Sequence, residues 1–173
     1  KINPSLEAQI ASISDAVAYN NHDIDDAVRA NLISIDQLNE IDYFKKIISI
    51  LYKKYKNLDK SILISEIVRT SIKTMVEDIA INTSKIIKKK SIKSFNDLKN
   101  QKNFLVIMSK KLRENSHEIR KFLYKNVYNH KDLEEKRKKS ELKIINLFDY
   151  FIQNFDKLPD DWKKKSEFII KER

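Results

Sequence analysis

Residues 59–89 read DKSILISEIVRTSIKTMVEDIAINTSKIIKK. Ile64, Val68, Ile72, Met75, Ile79 and Ile86 fall close to one stripe at a period of 3.6 residues, the mark of an α-helix with one face against a core. This is the longest periodic segment of the chain, and it predicts a helix that spans the domain and organises its core. Working outward, the same period recurs on both sides. Upstream, Leu6, Ile10, Ile13 and Val17 mark a short helix over 5–20, with Pro4 near its start. Residues 22–30 then continue helically or after a kink. Asn31 is placed to cap that run in the left-handed conformation, which Asn tolerates. Ser34 with Gln37 resembles a capping box, and Phe44, Ile47, Ile48, Leu51 and Tyr55 predict an inward face for a helix over 42–56.

Downstream, Ser91 to Asn103 is polar and reads as a connection with one helical turn at 95–98. Periodicity resumes at Phe104, Leu105, Met108 and Leu112, breaks near Asn115 and Ser116, and returns with Ile119, Phe122, Leu123 and Val127. Two helices or one kinked helix satisfy that pattern. Leu142, Ile145, Phe148, Ile152 and Phe155 mark another amphipathic helix. Pro159 at a first helical position, followed by Asp160 and Asp161 at the positive end of the dipole, opens a last helix through Ile170. No strand and no internal repeat is predicted.

Composition points the same way. The 173 residues include no Gly, where ordinary usage of ~7% would supply about a dozen. Hairpins, tight sheet corners and Gly-rich phosphate cradles depend on Gly at positive φ, so β-sandwiches, barrels and Rossmann domains are disfavoured. The length suits one domain with a single core. The expectation is an all-α, multi-helix single domain over 1–173. No Cys is present, which removes disulfides and thiolate metal sites and fits a reducing compartment. Every apolar run is interrupted, as Glu66 interrupts 62–68, so no stretch reaches the ~18 residues of a membrane span. Asn3, Pro4 and Glu7 leave no signal peptide visible. A soluble cytoplasmic protein is therefore expected. Because the chain opens on Lys1 rather than Met, it is also expected to be a fragment of something longer.

The formal charge of +10 invites a nucleic-acid reading through counterion release. The basic runs at 88–90, 134–139 and 163–165 are nevertheless expected at helix ends or on solvated faces, as part of a general Lys, Ile and Asn bias. His22, His117 and His130 are far apart, and no His-x-x-x-His pair, nucleophile elbow or nucleotide-binding loop is present.

One segment carries chemistry: Asp15-Ala-Val-Ala-Tyr19-Asn-Asn-His22-Asp23-Ile-Asp25-Asp26. Asp15, Tyr19 and Asp23 stand at i, i+4 and i+8, so a continuous helix projects them from nearly one face, two carboxylates bracketing a phenol. A carboxylate there can ligate a hard cation, while the phenol and the second carboxylate can hydrogen-bond a sugar hydroxyl. A solvated helix surface accounts for the carboxylates equally well when they are taken alone.

This segment, with Pro4-Ser-Leu-Glu-Ala-Gln-Ile10 before it and Arg29-Ala-Asn-Leu32 after it, resembles the bacterial deoxyguanosine triphosphate triphosphohydrolase family of the HD phosphohydrolase superfamily. Weaker matches follow in order: Met75-Val-Glu-Asp78, Phe122-Leu-Tyr124 with Val127-Tyr-Asn-His130, Leu147-Phe148 with Phe151, and Leu158-Pro-Asp-Asp-Trp162. The resemblance implies a hydrolase that cuts a dNTP at the α-phosphate, releasing deoxynucleoside and tripolyphosphate. It implies a divalent metal (Mg, Mn or similar) held by His, His-Asp and a distant Asp. Asp15 matches that distant Asp; Tyr19 and Asp23 match the deoxyribose contacts, Asp23 accepting from the 3′-hydroxyl and Tyr19 packing where a 2′-hydroxyl would clash. It also implies a symmetric homo-oligomer and leaves room for a nucleic-acid effector, with no membrane partner.

Departures matter as much. No His precedes Asp15, so the His and His-Asp pair are missing, and one carboxylate cannot hold a catalytic metal. The family continues past the Trp162 helix, and where it usually carries Gly this chain has Ala27 and Asn31. The expectation is an HD-like helical fragment truncated at both ends, lacking the N-terminal metal-binding helices and inactive alone. The alternative is a non-catalytic basic helical module that binds nucleic acid or a protein partner.

Overall fold

The computed structural model describes residues 3–171, with side chains up to 165. Among the described residues the chain is all-α, with no strand, as the periodicity predicts. It divides into two compact units, Lys1–Tyr128 and Asn129–Arg173.

The first unit is built on two long helices, α1 (Leu6–Arg29) and α4 (Lys60–Lys89), which pack against each other. The short α2 (Ile35–Asn39) leads into α3 (Asp42–Lys54), which lies on α4; α5 (Phe95–Lys99) is a single turn; and α6 (Lys110–Leu123) packs on α1. The core they enclose includes Ile24, Val28, Leu38, Phe44, Ile64, Ile67, Met75, Leu105, Ile119 and Leu123, all almost completely buried.

Leu6–Arg29 form one continuous helix. Ser5 caps it, its hydroxyl accepting from the Ala8 N–H at 3.3 Å, with Glu7 in the first turn. Ala27 is helical and buried. Asn31 takes φ 55°, as predicted for a left-handed cap. Its N–H bonds the Val28 carbonyl at 3.2 Å and the Leu32 N–H bonds the Ala27 carbonyl at 2.9 Å, the paired pattern of a Schellman ending. The end of α4 repeats this with Ser91 at φ 51°, Ser91 N–H to Lys88 and Ile92 N–H to Ile87, both at 3.1 Å. These two are the only positive-φ positions among the described residues, so the fold asks for left-handed backbone just twice.

The predicted capping box is present: Ser34 Oγ accepts from Gln37 N–H at 3.1 Å, and Gln37 Oε1 accepts from Ser34 N–H at 2.8 Å. The inward face of α3 is Tyr43, Phe44, Ile47, Ile48 and Leu51. Tyr55 lies beyond the helix, as its extended C-cap. The burial of α4 is confined to its first half, from Leu63 to Met75. Ile79 and Ile86 are only half-buried, so the helix organises the core along half its length.

The stretch 104–109 is where helical periodicity misleads. Leu105, Val106 and Met108 are buried, yet the segment is non-helical and α6 begins at Lys110. The cause is Gln9, itself buried on α1: its Oε1 accepts from Leu105 N–H at 2.8 Å and Val106 N–H at 3.1 Å, and its Nε2 donates to the Pro4 carbonyl at 2.9 Å. Backbone donors satisfied from outside need no helix. Asn3 Nδ2 to the Asn103 carbonyl at 2.9 Å adds a second tie between the same strips. The break expected at Asn115 and Ser116 is absent; α6 runs through both, with Ser116 buried. The irregularity comes later, as a π-helical turn over Tyr124–Tyr128.

In the second unit, α7 (Lys131–Gln153) starts well before its first apolar residue of the predicted set and buries none of its residues. Leu142, Ile145, Phe148 and Ile152 are all exposed. Phe155 falls in a 3₁₀ turn (Phe155–Lys157), and α8 (Asp160–Lys171) opens just after Pro159 with Asp160 and Asp161 in its first turn. Its backbone runs to Lys171, so the helix expected through Ile170 is present. His130 sits at the N-cap of α7, its Nδ1 accepting from Asp132 N–H at 3.4 Å. The 134–139 charge run lies on an exposed stretch of α7, a solvated face as expected. No helix among the described residues is long and apolar enough to cross a membrane.

Candidate functional site

Because α1 is continuous, Asp15, Tyr19 and Asp23 do share one face, turned away from Val17, Ile24 and Val28, which are buried. Asp15 is exposed, Tyr19 is 59% exposed, and Asp23 is half-buried. Asp15 makes no hydrogen bond or ion pair among the described residues, so its carboxylate oxygens are open.

Asp23 is engaged. The Tyr128 hydroxyl, at the end of the π turn, donates a short hydrogen bond to Asp23 Oδ2. Tyr19 lies within side-chain hydrogen-bonding contact of the same phenol. Burial first, and then the hydrogen bond to the Asp23 carboxylate, push the Tyr128 hydroxyl far above the ordinary tyrosine range. The phenol therefore stays a donor at any physiological pH. It occupies one Asp23 oxygen and leaves Oδ1 to accept from something else.

The π turn contributes to this arrangement. Its wider i→i+5 winding re-aims the side chains that follow a regular helix, and such turns recur at functional positions. Asn126 Nδ2 closes back on the Phe122 carbonyl at 3.0 Å, spanning the change in winding.

Neighbouring polar groups are structural. Arg29 Nε donates to Asp25 Oδ2 at 2.9 Å and its Nη2 donates to Ser65 Oγ at 2.9 Å, tying α1 to α4. Asn21, 1% exposed, donates to the Val17 carbonyl at 2.8 Å and to Met75 Sδ at 3.5 Å. His22 is exposed and no feature of the structure gives it a role. Asp78 of the Met75–Asp78 block accepts from Ser109 N–H at 2.8 Å and so helps to anchor the start of α6.

The comparisons with known proteins converge on one family. Residues 106–168 match a model described as a phosphohydrolase-associated domain. A protein of Brucella ovis called deoxyguanosinetriphosphate triphosphohydrolase-like is 34% identical over 167 residues, covering 96% of this chain and 42% of the relative. Like-named proteins of Leptospira interrogans and Bartonella henselae are 34% and 30% identical, over 95% of this chain and 44% and 41% of their own lengths. The chain corresponds to a C-terminal portion of the deoxyguanosinetriphosphate triphosphohydrolase-like proteins. It spans about two fifths of the length of the curated relatives it matches.

As a metal site, the donor set of this face is incomplete by itself. Among the described residues no group of three or more His, Cys, Asp and Glu converges to hold a metal ion. Asp15 offers one open carboxylate, which fits a contribution to a divalent centre and not the whole of one.

Tyr128 is the site residue that sequence reasoning passes over. It stands inside the Val127-Tyr-Asn-His130 block, yet its partner Asp23 is 105 positions away. No local period reports a contact at that distance. The only available signal was its place in a block that matches the family.

Proposed function

We propose that this chain forms the sugar-binding wall of a dNTP triphosphohydrolase, with Asp15 as one metal ligand and Tyr19, Asp23 and Tyr128 around the deoxyribose. The observation that carries this reading is the hydrogen-bonded Tyr128–Asp23 pair beside Tyr19, on the same face of α1 as an unpaired Asp15. Tyr128 fixes the Asp23 carboxylate, whose remaining oxygen accepts from the 3′-hydroxyl. In this reading the Tyr19 ring crowds the 2′ position and disfavours a ribonucleotide. A divalent ion, when bound with ligands from a segment outside this chain, would neutralise phosphate charge and activate water. The names of the relatives support a phosphohydrolase; the dNTP substrate and the cut at the α-phosphate belong to this proposal.

The test joins the chain to a segment that supplies His and His-Asp and follows tripolyphosphate release from dGTP with Mn²⁺ present. Asp15→Ala is expected to abolish release, and Asp23→Asn to lower kcat/KM by about tenfold or more, in line with loss of a charge-assisted hydrogen bond. Full activity of Asp15→Ala would overturn the ligand assignment. Unchanged discrimination between dGTP and GTP after Tyr19→Ala would overturn the sugar wall.

A further inference from the structure

A recess of the first unit that shares no residue with the Asp15–Asp23 face is lined by α3, α4 and the start of α6. It is a cleft of about 310 Å³, at the small end of the range that holds organic ligands. Its buried lining is apolar: Tyr43, Ile47 and Leu112 are each about 5% exposed, with Thr70 and Thr74 beside them. The Tyr43 hydroxyl donates to the Ser71 carbonyl at 3.1 Å, so that donor is already engaged. Ile50 stands at the mouth and is 59% exposed, an apolar side chain left in water at the rim of an apolar recess.

The charges decide what would fill it. Lys46 comes from the α3 wall and Lys111 from the α6 wall, and neither has an ion-pair partner among the described residues. Asp78 also lines the cleft, but its carboxylate accepts from Ser109 N–H at the start of α6, where the positive end of the helix offsets its charge. The lining therefore carries two lysines against one carboxylate that is already hydrogen-bonded, an excess of positive charge. Asn115, which also lines the cleft, has an amide with no hydrogen-bond partner among the described residues.

We propose that this cleft binds a small amphipathic organic anion. Its apolar ring or chain lies on Ile47, Ile50 and Leu112, and its carboxylate or phosphate sits between Lys46 and Lys111. Burial of the body supplies most of the affinity, and the two ammonium groups select the head.

The unmodified chain, labelled with ¹⁵N, is titrated with decanoate and separately with 1-naphthyl phosphate, one probe for each source of the anion; 1-decanol and inorganic phosphate are the controls. At least one amphipathic probe is expected to shift the amides of Lys46, Ile50, Lys111 and Asn115 at concentrations below about 1 mM. The probe that binds tells an acyl carboxylate from an aryl phosphate. Lys46→Ala with Lys111→Ala should raise its Kd by about tenfold, and Ile50→Glu should abolish binding; all three positions are solvent-facing, so thermal unfolding of the variants should match the parent. The proposal is overturned if neither probe shifts these amides, if the shifts map to other residues, if the lysine variant binds unchanged, or if 1-decanol binds as tightly as decanoate.

Discussion

Tyr128 shows how burial and a carboxylate partner together hold a side chain in one ionisation state. Its hydroxyl is held by burial and by the Asp23 carboxylate, both of which oppose loss of the proton. A group whose pKa is raised in the folded state keeps its contribution below its unfolded value near 10 and loses it only as pH rises further. Spectrophotometric titration should therefore show Tyr128 ionising after the exposed tyrosines. Tyr43, whose hydroxyl burial also pushes up, should lag with it. Asp23→Asn should bring the Tyr128 transition down while leaving that of Tyr43 in place; if both move, or neither does, the Asp23 contact is not what holds the proton. That Asp15, Tyr19 and Asp23 share one face was readable in the sequence, because they stand on one helix, where spacing sets the face. Tyr128 was not, because the contact that defines it joins the two ends of the first unit.

At the scale of elements, two features stand out: the helix ends and the Gln9 staple. Ser91 pays a steric cost at φ 51° that Gly would not. Ser91→Gly should stabilise the first unit by about 1 kcal/mol, seen as a higher denaturation midpoint at unchanged m-value; Asn31→Gly should gain less, since Asn tolerates that region better than Ser. Gln9→Ala should cost on the order of 3 kcal/mol, because it strands the buried Leu105 and Val106 N–H groups together. A loss below about 1 kcal/mol would mean that the 104–109 strip holds its shape without the staple. The strip itself explains why helix periodicity over-reached. Leu105, Met108 and Leu112 have the right spacing and the right burial, but period reports which side chains are inside and not where the backbone donors go. Caps were easier to read, since Ser34, Gln37 and Asn31 act on their own neighbours.

Across the whole molecule the helical class was legible from the missing glycines and from the α4 stripe, and the structure agrees with both. The division at Tyr128 was not, because no Gly, Pro or Ser cluster marks it. The first unit buries a core of apolar residues, whereas α7 of the second buries none, and Leu142, Ile144, Phe148, Ile152 and Trp162 are each at least half exposed. Such a surface on a chain of net charge +10 sets two forces against each other in solution. Long-range repulsion between like-charged molecules keeps copies apart, and its reach shrinks from about 30 Å at 0.01 M salt to about 8 Å at 0.15 M. Light scattering should accordingly show dispersed molecules at low ionic strength and growing association as salt rises, with Phe148→Asp suppressing the growth. Association that instead weakens with salt would mean that charge pairing, not apolar contact, draws the copies together. The exposed side of α7 thereby makes the colloidal state of the chain a function of its ionic surroundings, so that salt acts on it as a dial for clustering while the folded first unit stays the same.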